Sequence, residues 1–94
     1  MSEPATGPIA AEMRRRLEAA LQPTVLALSD DSERHRGHAG YNPAGESHFS
    51  LTIESPAFTG QSRIAMQRLV HAALGDLLKE RVHALSITAR EPSR

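Results

Sequence analysis

Five histidines stand in a chain of 94 residues that contains no cysteine. Any metal chemistry must therefore use imidazole or carboxylate, or take thiolates from another protein. His83 interrupts an otherwise apolar run, Val82-His83-Ala84-Leu85-Ser86-Ile87-Thr88-Ala89. A titratable, metal-competent imidazole where a hydrophobe would suffice is the one residue there that packing does not call for. His35 and His38 lie in Arg34-His35-Arg36-Gly37-His38-Ala39-Gly40, where glycine on both sides of His38 gives the backbone freedom to carry an imidazole toward a neighbouring site. A loop histidine together with His83 would make half of a metal shell. Taken singly, each has a structural alternative: His83 satisfied by a backbone carbonyl or by the preceding helix end, the loop histidines simply solvated. His48, on the polar side of a strand, and His71, on an exposed helix face, read as surface or hydrogen-bonded residues.

Other chemistries find little support. The chain has no thiol nucleophile, no Gly-x-Ser-x-Gly, no His-Glu-x-x-His and no phosphate-cradling glycine loop, so it does not read as an enzyme. Eleven Lys and Arg balance eleven Asp and Glu, so no net charge draws it to nucleic acid or anionic lipid. Arg63 and Arg68 along one helix are the residues that could touch phosphates or a partner, but only three aromatics are available for stacking. The run Arg14-Arg15-Arg16 is a solvated helix face, since successive helical residues point in different directions. No segment approaches the roughly 20 apolar residues of a membrane span. With no signal-like start, the expectation is a soluble cytoplasmic protein.

The elements that must position these residues follow from pattern. Residues 1–8 are expected to be a disordered leader, residues 9–90 the domain and residues 91–94 a flexible tail. Pro8 suits a first helical turn. Ile9, Met13, Leu17, Ala20 and Leu21 then recur at helical spacing up to Gln22, where Pro23 stops the helix. Thr24 to Ser29 reads as a strand, and Asp31 to Glu46 is too rich in Gly, Pro, Asn and Asp for regular structure. Ser47 to Ser55 alternates, with Phe49, Leu51 and Ile53 to one side and His48, Ser50, Thr52 and Glu54 to the other. A turn at 56–61 leads to Ser62 as cap of a second helix running to about Lys79. Met66, Leu69, Val70, Ala73, Leu74 and Leu77 share its inner face, which makes it the expected core helix. Residues 82–89 form the last strand, with His83 in phase with Leu85 and Ile87. The order α-β-β-α-β predicts an α+β two-layer sandwich, with helices on one face of a three-stranded mixed sheet.

Four blocks carry a family resemblance: Glu46-Ser47-His48-Phe49 opening the second strand, the turn Ser55-Pro56-Ala57-Phe58-Thr59-Gly60, the helical Arg68-Leu69-Val70-His71-Ala72-Ala73-Leu74, and Val82-His83-Ala84-Leu85-Ser86-Ile87. In order and spacing the chain resembles the BolA family from about residue 9 to 92. That resemblance implies a class II KH-like fold and partnership with a monothiol glutaredoxin and its glutathione. In such pairs a 2Fe-2S cluster is shared between the two proteins. The family's strand histidine maps to His83 as a cluster ligand. The second ligand maps to His38 by the Gly-His-Ala loop, or to His35 by alignment to members with a shorter Arg-His loop. Imidazole in place of thiolate lowers the cluster's negative charge and raises its potential, which suits cluster trafficking or iron sensing. Two departures matter. Many members carry Arg-His-Arg where this chain has Met66-Gln67-Arg68, and Gly60-Gln61-Ser62-Arg63 keeps only the first glycine of the RNA-binding Gly-x-x-Gly. A nucleic-acid-binding transcriptional regulator is accordingly the second reading.

Overall fold

Pro8 opens helix α1 (Pro8–Leu21), its fixed φ already suited to a first turn whose N–H groups lack helical partners. The computed structural model describes residues 7–30, 48–80, 82 and 84–92; the expected leader at 1–6, the segment 31–47 and residues 81, 83, 93 and 94 lie outside the described residues. Ala10, Met13, Leu17 and Leu21 are the buried positions of α1, while Ile9 is only partly buried and Ala20 is exposed. The inner stripe thus runs through Ala10 where Ala20 was expected. Gln22 ends the helix in the left-handed region at φ 46°, its N–H donating to the Glu18 carbonyl at 3.1 Å. Pro23 then prevents continuation.

Strands β1 (Val25–Asp30) and β2 (His48–Glu54) pair antiparallel, and β3 (Ala84–Arg90) pairs parallel to β2, in the spatial order β1-β2-β3. This is the expected mixed three-stranded sheet, with the parallel pair joined through a helical crossover. Because β2 is central, alternation buries Phe49, Leu51 and Ile53 almost completely on its helix-facing side. Register sets Leu26 and Leu28 beside Ile53 and Leu51 from β1, and Leu85, Ile87 and Ala89 beside Phe49, Leu51 and Ile53 from β3. The outer strand β3 buries its inner residues only partly.

After β2, Ser55 starts a single 3₁₀ turn at Pro56–Phe58 that drives Phe58 fully into the core. Ser55 is itself wholly buried, and every polar atom it offers is used. Its N–H donates to the Arg90 carbonyl at 3.3 Å, its hydroxyl donates to the Leu21 carbonyl at the end of α1, and its oxygen accepts from the Ala57 N–H at 3.1 Å. The expected cap is present too: Ser62 accepts from the Ala65 N–H at 3.1 Å and opens α2 (Arg63–Leu74).

The second helix departs from expectation. It does not run to Lys79 but stops at Leu74, and a separate turn, α3 (Leu77–Glu80), follows. Gly75 makes the break at φ 55° and ψ −130°, a conformation that side chains disfavour. The Leu74 carbonyl released there accepts from the Arg16 guanidinium at 2.7 Å. Arg16 also grips Glu12 at 2.7 Å, so a residue of the arginine run joins α1 to the end of α2. Within α2 only Val70 and Leu74 are fully buried, and Leu77 reaches the core from α3. The deepest helix is therefore α1, contrary to the expectation that α2 would be, because the glycine break splits the long apolar face in two.

Two outcomes follow. Ser55→Ala strips the Leu21 carbonyl and the Ala57 N–H of their buried partner and should lower unfolding free energy by about 1–3 kcal/mol in denaturant titration. Arg15, and after it Arg16, hold the Glu12 carboxyl at about 2, below its usual 4.5. Since the folded value is the lower one, Glu12 contributes stability above pH 4.5 that disappears as pH falls toward 2. The difference in melting temperature between wild type and Glu12→Gln should thus be present at neutral pH and shrink to nothing across that window.

Candidate functional site

Three strand ends meet at one end of the sheet. Asp30, the last residue of β1, is the register partner of Phe49, while His48, the first residue of β2, stands beside Ala84, the first residue of β3. Neighbouring strands lie about 4.8 Å apart, so these ends fall within roughly 10 Å of one another. Covalent connection then fixes the anchors of the histidine-bearing segments. Residues 31–47 leave the sheet at Asp30 and return at His48, and residue 83 directly precedes Ala84. His35, His38 and His83 themselves lie outside the described residues. Their described anchors share a single end of the sheet.

His48 belongs to that same end and corrects the sequence reading in part. It is only 7% exposed, and it is engaged rather than free. Alternation alone placed it on a polar, solvent-facing side; what alternation cannot reveal is that β2 has a neighbour on both flanks. His71 is exposed on α2, as expected. Among the described residues no group of three or more His, Asp or Glu side chains is gathered that could hold a metal ion.

At the opposite end of the sheet a polar network joins β2 and β3 to the residue that precedes β1. Thr24 Oγ1 donates to Glu54 Oε1 at 2.8 Å and Arg90 Nε donates to Glu54 Oε2 at 3.0 Å. The Thr24 hydrogen bond, and then Arg90, hold the buried Glu54 carboxyl below the usual carboxylate range. With both oxygens engaged by neighbours, Glu54 reads as a clasp rather than a reactive group.

Arg63 and Arg68 are both exposed on α2, and neither belongs to an ion pair among the described residues. They are not equivalent. Arg63, with Met66 and Gln67, forms one wall of a groove of about 350 Å³ whose other wall is Ile87, Thr88 and Ala89 of β3. Arg68 is not among the lining residues. In the sequence Gln67 stands out only as a departure from a charged pattern, and no periodicity marks it as a groove residue.

With this geometry in view, the comparisons converge. The family model described as BolA-like protein matches residues 17–94. BolA-like protein 1 of Homo sapiens is 46% identical over 90 residues, covering 96% of this chain and 63% of that protein. The chain thus spans less than two thirds of that relative's length. SufE-like protein 1, chloroplastic/mitochondrial, of Arabidopsis thaliana is 42% identical over 85 residues, covering 86% of this chain and 23% of that protein. Among solved structures, the BolA domain of SufE1 from Arabidopsis thaliana superposes with a TM-score of 0.81 at 42% identity, covering 94% of this chain and 96% of that one. The solution structure of BolA1 from Mus musculus gives 0.77 at 38% identity, covering 98% of this chain and 72% of that one.

Burial of His48 at the head of β2 makes a separable prediction. His48→Ala removes a buried, engaged side chain and should cost about 1–3 kcal/mol in chemical denaturation, measured with no metal or partner present.

Proposed function

The chain belongs to the BolA-like protein family, and from that membership we propose that it is a non-enzymatic adaptor in iron-sulfur cluster trafficking or iron sensing. It pairs with a monothiol glutaredoxin and its glutathione, and the two proteins share a 2Fe-2S cluster. His83 supplies one imidazole, and His38, or His35 in its place, supplies a second. The observation that carries this reading is the convergence of strand ends: the described anchors of residues 31–47 and of residue 83 lie at one end of the sheet, beside His48 and Ala84. Donor chemistry supports it as well. A chain with five histidines and no cysteine can offer neutral imidazole to one iron while a partner's thiolate serves the rest, a mixed ligation like that of Rieske centres.

Similarity to a SufE-like protein is consistent with cluster metabolism, although that relative is matched over 23% of its length. No helix among the described residues is long and apolar enough to cross a membrane. We place the protein in the cytoplasm; two Arabidopsis relatives carry chloroplastic in their names, and the ligation argument holds in either compartment.

The test is to mix the protein with a cluster-loaded monothiol glutaredoxin and follow visible absorption and circular dichroism. Wild type should change the spectrum, His83→Ala should abolish the change, and His38→Ala and His35→Ala should separate the two candidates for second ligand. A spectrum identical to that of glutaredoxin alone, with wild type and His83→Ala alike, sinks the proposal. DNA affinity that falls steeply with salt and disappears in Arg63 and Arg68 variants would favour the nucleic-acid reading instead.

A further inference from the structure

Strand β3 borders the sheet, with β2 on one flank and no described strand on the other. The Arg90 carbonyl accepts from Ser55 N–H at 3.3 Å, so Arg90 turns its peptide groups toward β2. In an extended strand the N–H and C=O of one residue point to the same flank, and those of the next residue point to the other. Thr88 and Ser86 therefore face β2, whereas Ala89, Ile87 and Leu85 face outward. Among the described residues nothing bonds to the outward groups of Ile87 and Ala89.

Sheet borders are commonly protected by lysine, proline, a charge or a bulge. From Ala84 to Ala89 this strand carries none of the first three. The opposite border is treated differently, since Arg14 of α1 donates to the Leu28 carbonyl of β1 at 3.5 Å. Beside the bare border runs the groove of about 350 Å³ between β3 and α2. Ile87 and Ala89, whose outward backbone groups are two donors and two acceptors, are among its lining residues, together with the apolar Met66, the amide-bearing Gln67 and the cationic Arg63. Neither Gln67 nor Arg63 has a side-chain hydrogen bond or ion pair among the described residues. The nearest carboxylate on the chain path, Glu91, accepts from the Gly60 N–H at 3.2 Å.

We propose that this groove takes an extended peptide segment of a partner protein, which adds to β3 as a fourth strand. Backbone hydrogen bonds to Ile87 and Ala89 supply the register, and an apolar side chain of the peptide packs over Met66 and Ile87. The Gln67 amide bonds the peptide backbone, and a carboxylate on the segment meets Arg63. This is strand addition, in which main-chain bonds give affinity and side-chain pockets give selectivity. A cation at the groove's end selects an acidic segment over a basic one.

The probe is a capped hexapeptide of alternating valine and threonine with glutamate at one end, made with the glutamate first or last, each with a lysine counterpart. Titrated into the full-length ¹⁵N-labelled protein, a glutamate peptide should shift the amides of Ile87 and Ala89 and the Gln67 side chain in a saturable way. The lysine counterpart should bind about threefold more weakly, the scale of an exposed ion pair. Ala89→Pro removes an outward N–H and no ladder bond, a place where a border strand accepts proline. It should keep the native spectrum and weaken binding more than about tenfold, or 1.4 kcal/mol. Arg63→Glu should reverse the preference between the peptides, a readout independent of how well the proline variant folds. Absence of shifts at residues 87–89, or shifts indifferent to both variants, overturns the proposal. So does a concentration-dependent dimer lost in Ala89→Pro when the peptides leave the spectrum unchanged, because a second copy would then occupy the border.

Discussion

The hydroxyl of Ser55 holds together segments that are remote in sequence. It donates to the last carbonyl of α1 and accepts from the 3₁₀ turn, while the residue's own N–H reaches the end of β3. Without it, two helix and turn ends would be left with buried polar groups that water cannot reach, which is costly in a core of this size. The neighbouring residues depend on this node. Pro56 and the 3₁₀ turn aim Phe58 into the core, and Gly60, at φ 78°, takes a backbone conformation that other residues resist. The motif Ser-x-x-Phe-x-Gly therefore has a mechanical reading: a polar knot, an apolar plug and a hinge-like turn in immediate succession.

The sheet was legible because its strongest signals are local. Alternation from His48 to Glu54 fixed both the strand and its inner face, and Ser62 announced the helix that follows. Features set by distant partners were not. Helix α2 reads as continuous because Leu74 and Leu77 keep helical spacing across Gly75, and only the Arg16 bond to Leu74 shows why the break is tolerated. His48 reads as either a surface or a hydrogen-bonded residue, and nothing in one strand says that flanking strands on both sides will bury it. As for the candidate site, residue types pointed to His83 and the loop histidines, and the topology adds the shared end of the sheet at which their segments are anchored.

The two surfaces with chemical potential are well separated along β3. The histidine-bearing segments are anchored where β3 begins, at Ala84, and the groove occupies its later part, Ile87 to Ala89. At about 3.3 Å per residue the offset is on the order of 10–16 Å, beyond the range where side chains share neighbours. The Thr24, Glu54 and Arg90 clasp lies at the far end from the histidine anchors and ties β2 to β3 and to the entry of β1.

Because β1 and β2 are adjacent and antiparallel, the chain between Asp30 and His48 leaves and re-enters the sheet at neighbouring points. The entropy of closing such a connection grows only logarithmically with length, so doubling it costs roughly 0.6 kcal/mol. By that term alone, a change in the length of the connection costs little, while the frame knotted at Ser55 is described independently of it. In loop-closure terms, the architecture thus leaves the spacing and number of histidines between Asp30 and His48 open to evolutionary change, because the two anchors stay neighbours whatever the length between them.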